Sequence, residues 1–227
     1  MRTLSNLIAK WGGPALMLGA LIFSLTKARG YVDPDDSLLV YFMAVGFAAW
    51  LVGLGALFAR YAPPSGRLGK IGLGVSFVGM AAMAVGHLFS FSPVYYVIEG
   101  YFVLEVAMFS LFVLGVLGLM AGLLLFGIAT LRAEVLPHRW RFVPFATAMI
   151  GLVWITVTGS DDGSLTFGFM FFRTLFAFGW FLMGFVLWFD GEEAAQPSTG
   201  GASTYPARTT QSRSGSYVHL RTRKFWR

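Results

Sequence analysis

His87, Glu105 and Arg173 are ionisable residues that fall inside otherwise apolar stretches of this 227-residue chain. Charge at membrane depth is costly, so such residues mark ion paths, proton relays or ligand sites by default. Their heights follow from the sequence. His87 lies 87 − 70 = 17 residues beyond Lys70, roughly 25 Å along a helix. Arg173 lies 189 − 173 = 16 residues before Phe189, at a similar height. Glu105 is 131 − 105 = 26 residues before Leu131, which puts it at or above the outer boundary of a hydrocarbon core of about 30 Å. Glu99, Asp161 and Asp162 share that outer third. Arg173 paired with Glu105, with His87 beside them, would form a polar cluster able to hold a cation, relay a proton or bind a headgroup. The plainer reading has Arg173 snorkelling to lipid phosphate, Glu105 in water and His87 as a packing histidine. An Arg173–Glu105 pair would also serve as a structural clasp between the fourth and sixth helices, a role favoured over catalysis.

Residue supply excludes several specific chemistries. The chain has no cysteine, which removes disulfides, thiol catalysis, Cys-ligated zinc and iron–sulfur clusters. Bis-histidine haem needs two histidines in the membrane. His87 is the single candidate, because His138 and His219 fall in a loop and in the tail. A retinal Schiff base needs a mid-membrane lysine, whereas Lys10, Lys27, Lys70 and Lys224 all sit at ends or loops. His-Glu-x-x-His is absent, and Ser110 lacks a Gly-x-Ser-x-Gly turn. We therefore assign no catalytic, cofactor-binding or metal-ligating residue, and expect no cofactor.

The elements that must position these residues are apolar helices. The chain is 56% hydrophobic and 12% charged, where a soluble domain carries about 25% charged residues. Six apolar runs can be drawn, near residues 7–26, 38–59, 71–90, 101–131, 142–158 and 165–189. Helices of about 20 residues each would use most of this length. The first run follows Arg2 and Lys10 as a signal peptide would, but residues 24–28 offer no small-x-small cleavage site, so it reads as a retained span. Pro63, Pro64 and Gly66 break the chain after the second run, and Pro137 after the fourth. Pro144 falls in the first turn of the fifth, where proline is tolerated. The fourth run is longer than a bilayer requires, so its helix should project or tilt.

Charge gives the runs an orientation. Fourteen of the seventeen Lys and Arg residues lie in four segments: Arg2 and Lys10; Arg60, Arg67 and Lys70; Arg132, Arg139 and Arg141; and six in the tail from Arg208 to Arg227. The apolar runs between these segments come in pairs, joined by loops that are acidic or poor in basic residues. Cytoplasmic loops keep Lys and Arg. The pattern predicts an all-α bundle of six transmembrane helices with both termini in the cytoplasm.

Gly72, Gly79 and Gly86 recur every seven residues on the third run, and Gly115, Gly118 and Gly122 give the fourth a second small-residue face. Such faces let backbones approach closely and drive packing in lipid, so they should meet protein. The phenylalanines of the sixth run make it apolar on every side. Residues 1–189 read as the membrane domain, and 190–227 as a flexible polar linker with a basic, aromatic tail. In that tail Arg221, Arg223, Lys224, Phe225, Trp226 and Arg227 could anchor to anionic inner-leaflet lipid. The net charge of +6 suits such a surface better than nucleic acid.

The segment 131–140, Leu-Arg-Ala-Glu-Val-Leu-Pro-His-Arg-Trp, resembles a cytoplasmic loop of uncharacterised multi-span membrane proteins of bacteria. The resemblance implies a bacterial cytoplasmic (inner) membrane and carries over no catalytic residue. The expectation is a non-enzymatic accessory or structural subunit that packs against other membrane proteins or copies of itself. The alternative is a small transporter or channel for a cation, proton or lipid-like substrate using the outer polar cluster. A lipid-acting enzyme built on Glu99, Glu105, Asp161, Asp162 and His87 is less favoured.

Overall fold

The computed structural model describes residues 2–30, 37–91, 102–158 and 167–195, with side chains over 10–26, 41–89, 103–156 (Glu105 excepted) and 170–189. These segments form six helices: α1 (Arg2–Gly30), α2 (Ser37–Tyr61), α3 (Gly66–Phe91), α4 (Phe102–Ala133), α5 (Val143–Thr158) and α6 (Phe167–Ala195). A short 3-10 helix, His138–Trp140, lies between α4 and α5. No strand occurs among the described residues. All six helices belong to one compact unit, Met1–Ala195.

Four of the helices contain stretches long and apolar enough to cross a membrane: Tyr41–Tyr61, Gly66–Phe89, Val106–Ala133 and Met170–Phe189. Six helices stand where the six runs were drawn; among the described residues, α1 and α5 contribute no such stretch. At 16 residues, α5 is about 24 Å long, short of a hydrocarbon core of about 30 Å. The fourth helix is the longest at 32 residues, as its apolar run required. The last helix continues over 190–195, beyond the Phe189 boundary expected for the membrane domain.

Local chemistry sets the turns. Pro63 and Pro64 cannot continue α2, and the Ser65 hydroxyl donates to the Tyr61 carbonyl (2.6 Å), satisfying one of the helix's terminal acceptors. Gly66 then opens α3 at φ +68, a conformation glycine adopts without steric cost. Past α4, Glu134 takes the same left-handed region (φ 53), and its carboxylate accepts from Arg141 Nη1 at 2.8 Å. Thr130 Oγ1 donates to the carbonyls of Gly127 (2.8 Å) and Arg141 (3.2 Å), fastening the end of α4 to the start of α5.

Each helix packs against the next in sequence, and α6 packs back against α1, so the six close into a ring. Neighbours run antiparallel. Gly12 meets Ala56 while Gly19 meets Trp50, and Gly72 meets Phe126 while Gly86 meets Phe112. One end of the ring carries the short turns 62–65 and 134–142. Among the described residues Lys10, Arg60, Arg67, Lys70, Arg132, Arg139 and Arg141 all lie toward that end. The ring's interior is filled: Trp50, Leu54, Leu73, Met80, Leu119, Leu123 and Trp180 are fully buried. Its circumference is apolar as well, with Val78, Val103 and Leu114 each more than half exposed. Helices apolar on every side belong in lipid.

Candidate functional site

The glycines singled out in the sequence meet across the α3–α4 seam. A Cβ on Gly72 would fall 2.8 Å from the Gly122 carbonyl oxygen, one on Gly79 2.8 Å from that of Gly115, and one on Gly86 2.5 Å from the Phe112 nitrogen. Gly115 and Gly122 meet Met83 and Ser76 in return, and Gly118 lies against Gly79. These faces are used within the chain itself, holding α3 and α4 at backbone contact. Gly118 also lines the outer side of the seam.

Arg173 is 3% exposed. Its Nη2 donates to the Phe23 carbonyl of α1 at 2.7 Å. The guanidinium carbon stands 3.9 Å from the centroid of the Phe23 ring and 6.0 Å from that of Trp154 on α5. Arg173 Nε has no hydrogen-bond partner. Among the described residues, the guanidinium meets a backbone carbonyl and ring faces. An arginine suits this setting because its planar, weakly hydrated fork stacks on aromatic rings. Phe23 is 150 residues away in sequence, and the helices packed beside α6 are α1 and α5. The arginine therefore clasps α6 to α1; the expected clasp to Glu105 on the fourth helix falls on a side chain outside the described residues. The burial of Arg173 also excludes snorkelling to lipid phosphate.

Around Arg173 lies an aromatic cluster that the sequence reading did not isolate. Phe23 packs on Trp50 (5.0 Å between centroids), Trp50 stacks on Trp180 (4.9 Å, 22°), and Trp154 stacks on Phe176 (5.7 Å, 23°). The signal was available. Trp50 and Trp180 fall near the middles of α2 and α6, whereas membrane tryptophans concentrate at the interfaces. Both indole Nε1 atoms are buried without a hydrogen-bond partner, although indole N–H groups usually find a partner when buried.

His87 sits on the other side of the ring, edge-on to Phe47 of α2 (5.2 Å, 80°) and near Phe112 of α4 (6.2 Å). Ring contacts run from His87 through Phe47, Trp50 and Phe23 to Arg173. Glu99, Asp161, Asp162 and the side chain of Glu105 lie outside the described residues, as do Arg221, Arg223, Lys224, Phe225, Trp226 and Arg227. Among the described residues no three His, Asp or Glu side chains gather in a way that could hold a metal.

Beneath the 3-10 helix a cavity of about 10 Å³ is lined by Leu57, Tyr61, Phe126 and Met183, room for at most one water. A larger groove of about 380 Å³ opens on the outer side of the α3–α4 seam, lined by Gly74, Val75, Val78, Ala82, Leu114 and Gly118 among others. The fold and site together define an all-α bundle of apolar helices with a filled core and a structurally engaged buried arginine. No protein-family model, curated protein or solved structure matches the chain.

Proposed function

We propose that this chain is a multi-pass protein of the bacterial cytoplasmic (inner) membrane, with six crossing helices and both termini on the cytoplasmic side. In this reading it acts as a non-catalytic accessory or structural subunit, packing against other membrane proteins or further copies of itself. The observation that carries the reading is the filled ring. Its centre is Trp50, Leu54, Leu119, Leu123 and Trp180, and its buried charge, Arg173, is committed to Phe23. Transport would require a polar path, yet besides Arg173 and the indole nitrogens the buried polar groups described along the interior are scattered hydroxyls such as Ser76, Thr130 and Thr147. The gathering of basic residues toward the short-turn end supports a cytoplasmic location for that end.

Extraction from the native membrane in mild detergent, followed by mass spectrometry and an absorption spectrum, tests the proposal. A subunit should emerge with a stoichiometric protein partner. A clean, colourless monomer would sink the accessory role and shift the weight to transport.

A further inference from the structure

The helix faces that border the outer α3–α4 groove carry positive charge toward the short-turn end. On α3 the residues Arg67, Lys70, Gly74, Val78 and Ala82 follow one another at three- and four-residue spacing, which places them on one helical face. On α4 the series Leu114, Gly118, Ala121, Leu125, Ile128 and Arg132 does the same. The two faces border each other: Gly79 meets Gly115, Gly72 meets Gly122, and Gly69 approaches Ala129. Arg67, Lys70 and Arg132 therefore lie on the bordering faces toward the short-turn end, beyond the apolar lining of the groove. All three are exposed, and none has an ion-pair partner among the described residues. The carboxylate nearest in sequence, Glu134, is engaged by Arg141 at 2.8 Å.

The groove has the dimensions of one leaflet. Its lining on α3 runs from Gly74 to Ala82, 82 − 74 = 8 residues or about 12 Å of helix, against about 15 Å for half a hydrocarbon core, and Lys70 stands one turn before it. Gly74 lines it with nothing within 4 Å of where its Cβ would stand. Basic pockets between membrane helices on the cytoplasmic side recognise anionic headgroups. We propose that this groove binds one anionic glycerophospholipid, with its phosphate between Arg67, Lys70 and Arg132 and an acyl chain along Gly74, Val78 and Leu114. The inference rests on the membrane-spanning reading above and adds a ligand class to it.

Native mass spectrometry of the full chain, reconstituted with vesicles of equal phosphatidylglycerol and phosphatidylcholine and then released from detergent, is the test. The wild type should retain one phosphatidylglycerol in preference to phosphatidylcholine. Each basic residue is worth about fivefold at an anionic surface, so the triple variant Arg67→Gln, Lys70→Gln, Arg132→Gln should lose about a hundredfold in retention. Gly74→Leu, which fills the groove and leaves every charge in place, should also lose the lipid while circular dichroism stays unchanged. Equal retention of both lipids, or retention unaffected in both variants, would overturn the lipid site alone. A chain released from membranes by alkaline carbonate would overturn the membrane reading together with the site.

Discussion

Two alanines placed on the same helix, five residues apart, should move stability in opposite directions. At Gly79 an added Cβ meets the Gly115 oxygen and the Gly118 carbonyl carbon, each at 2.8 Å, as well as the Leu119 nitrogen. All three are backbone atoms, so no side chain can swing aside. Ordinary contact begins at 3.4 Å, so the helices must separate by 3.4 − 2.8 = 0.6 Å or more. A gap of 0.5–1 Å forfeits roughly a quarter to a half of the dispersion energy of the atoms that line it. In lipid no hydrophobic force between helices compensates. Overpacking of this kind costs about 1–3 kcal/mol, and three simultaneous backbone clashes put Gly79→Ala at the upper end. At Gly74 the same Cβ meets nothing. Both substitutions gain the preference of a helix for alanine over glycine, about 1 kcal/mol, and this term cancels in the comparison. Gly74→Ala should therefore be neutral or stabilising, with Gly79→Ala less stable than it by about 3 kcal/mol. The assay is reversible unfolding in mixed micelles by titrating sodium dodecyl sulfate, followed by helicity. Equal stabilities for the two variants would refute the claim that α3 and α4 touch along their backbones.

At Arg173, methionine removes a charge-assisted hydrogen bond worth about 1.5–3 kcal/mol and a cation–π contact worth about 0.5–2 kcal/mol. It also relieves the burial of a charge, and the Phe23 carbonyl keeps its bond from Thr26 Oγ1 at 3.1 Å. Arg173→Met should thus cost less than Arg173→Ala, which adds a void. The same unfolding titration ranks the two, and the reverse order would contradict the clasp. At Glu134 the left-handed backbone (φ 53) suits glycine, while the exposed ion pair with Arg141 is worth about 0.2–1 kcal/mol. Glu134→Gly should be near neutral, whereas Glu134→Ala, which keeps the strain and loses the pair, should be measurably less stable by thermal denaturation.

Much of this architecture was readable from residue order, because punctuation and composition act locally. Pro63, Pro64 and Gly66 mark the α2–α3 turn, Pro137 the α4–α5 turn, and an apolar run of unusual length gave the longest helix. The seven-residue recurrence of Gly72, Gly79 and Gly86 marked a face that must meet protein, and helical geometry alone requires that they share it. Which protein surface they meet was not readable. The seam partner is the chain's own α4, and periodicity carries no information about which neighbour supplies the opposing backbone. Arg173 shows the same limit more sharply. Charge pairing suggests a carboxylate, Glu105, whose side chain lies outside the described residues; the partners described for the arginine are a backbone carbonyl and an aromatic face on α1. Neither carries a distinctive residue signal. The closure of α6 onto α1 places Phe23 there, and that closure is a property of the whole ring. The tryptophans at the centres of α2 and α6 were visible, and their position away from the interfaces was the overlooked clue.

In the proposed topology the chain crosses the membrane six times with its basic turns facing the cytoplasm. Because the chain contains no cysteine, single substitutions report sidedness without background. Pro64→Cys, Arg139→Cys and Ser214→Cys would be compared with Asp35→Cys, Ser92→Cys and Asp161→Cys, using a membrane-impermeant maleimide on intact spheroplasts. Cysteines at 35, 92 and 161 should label on intact spheroplasts, and those at 64, 139 and 214 after lysis alone. Labelling of 64 or 139 from outside, or a sidedness that fails to alternate between successive loops, would contradict that topology.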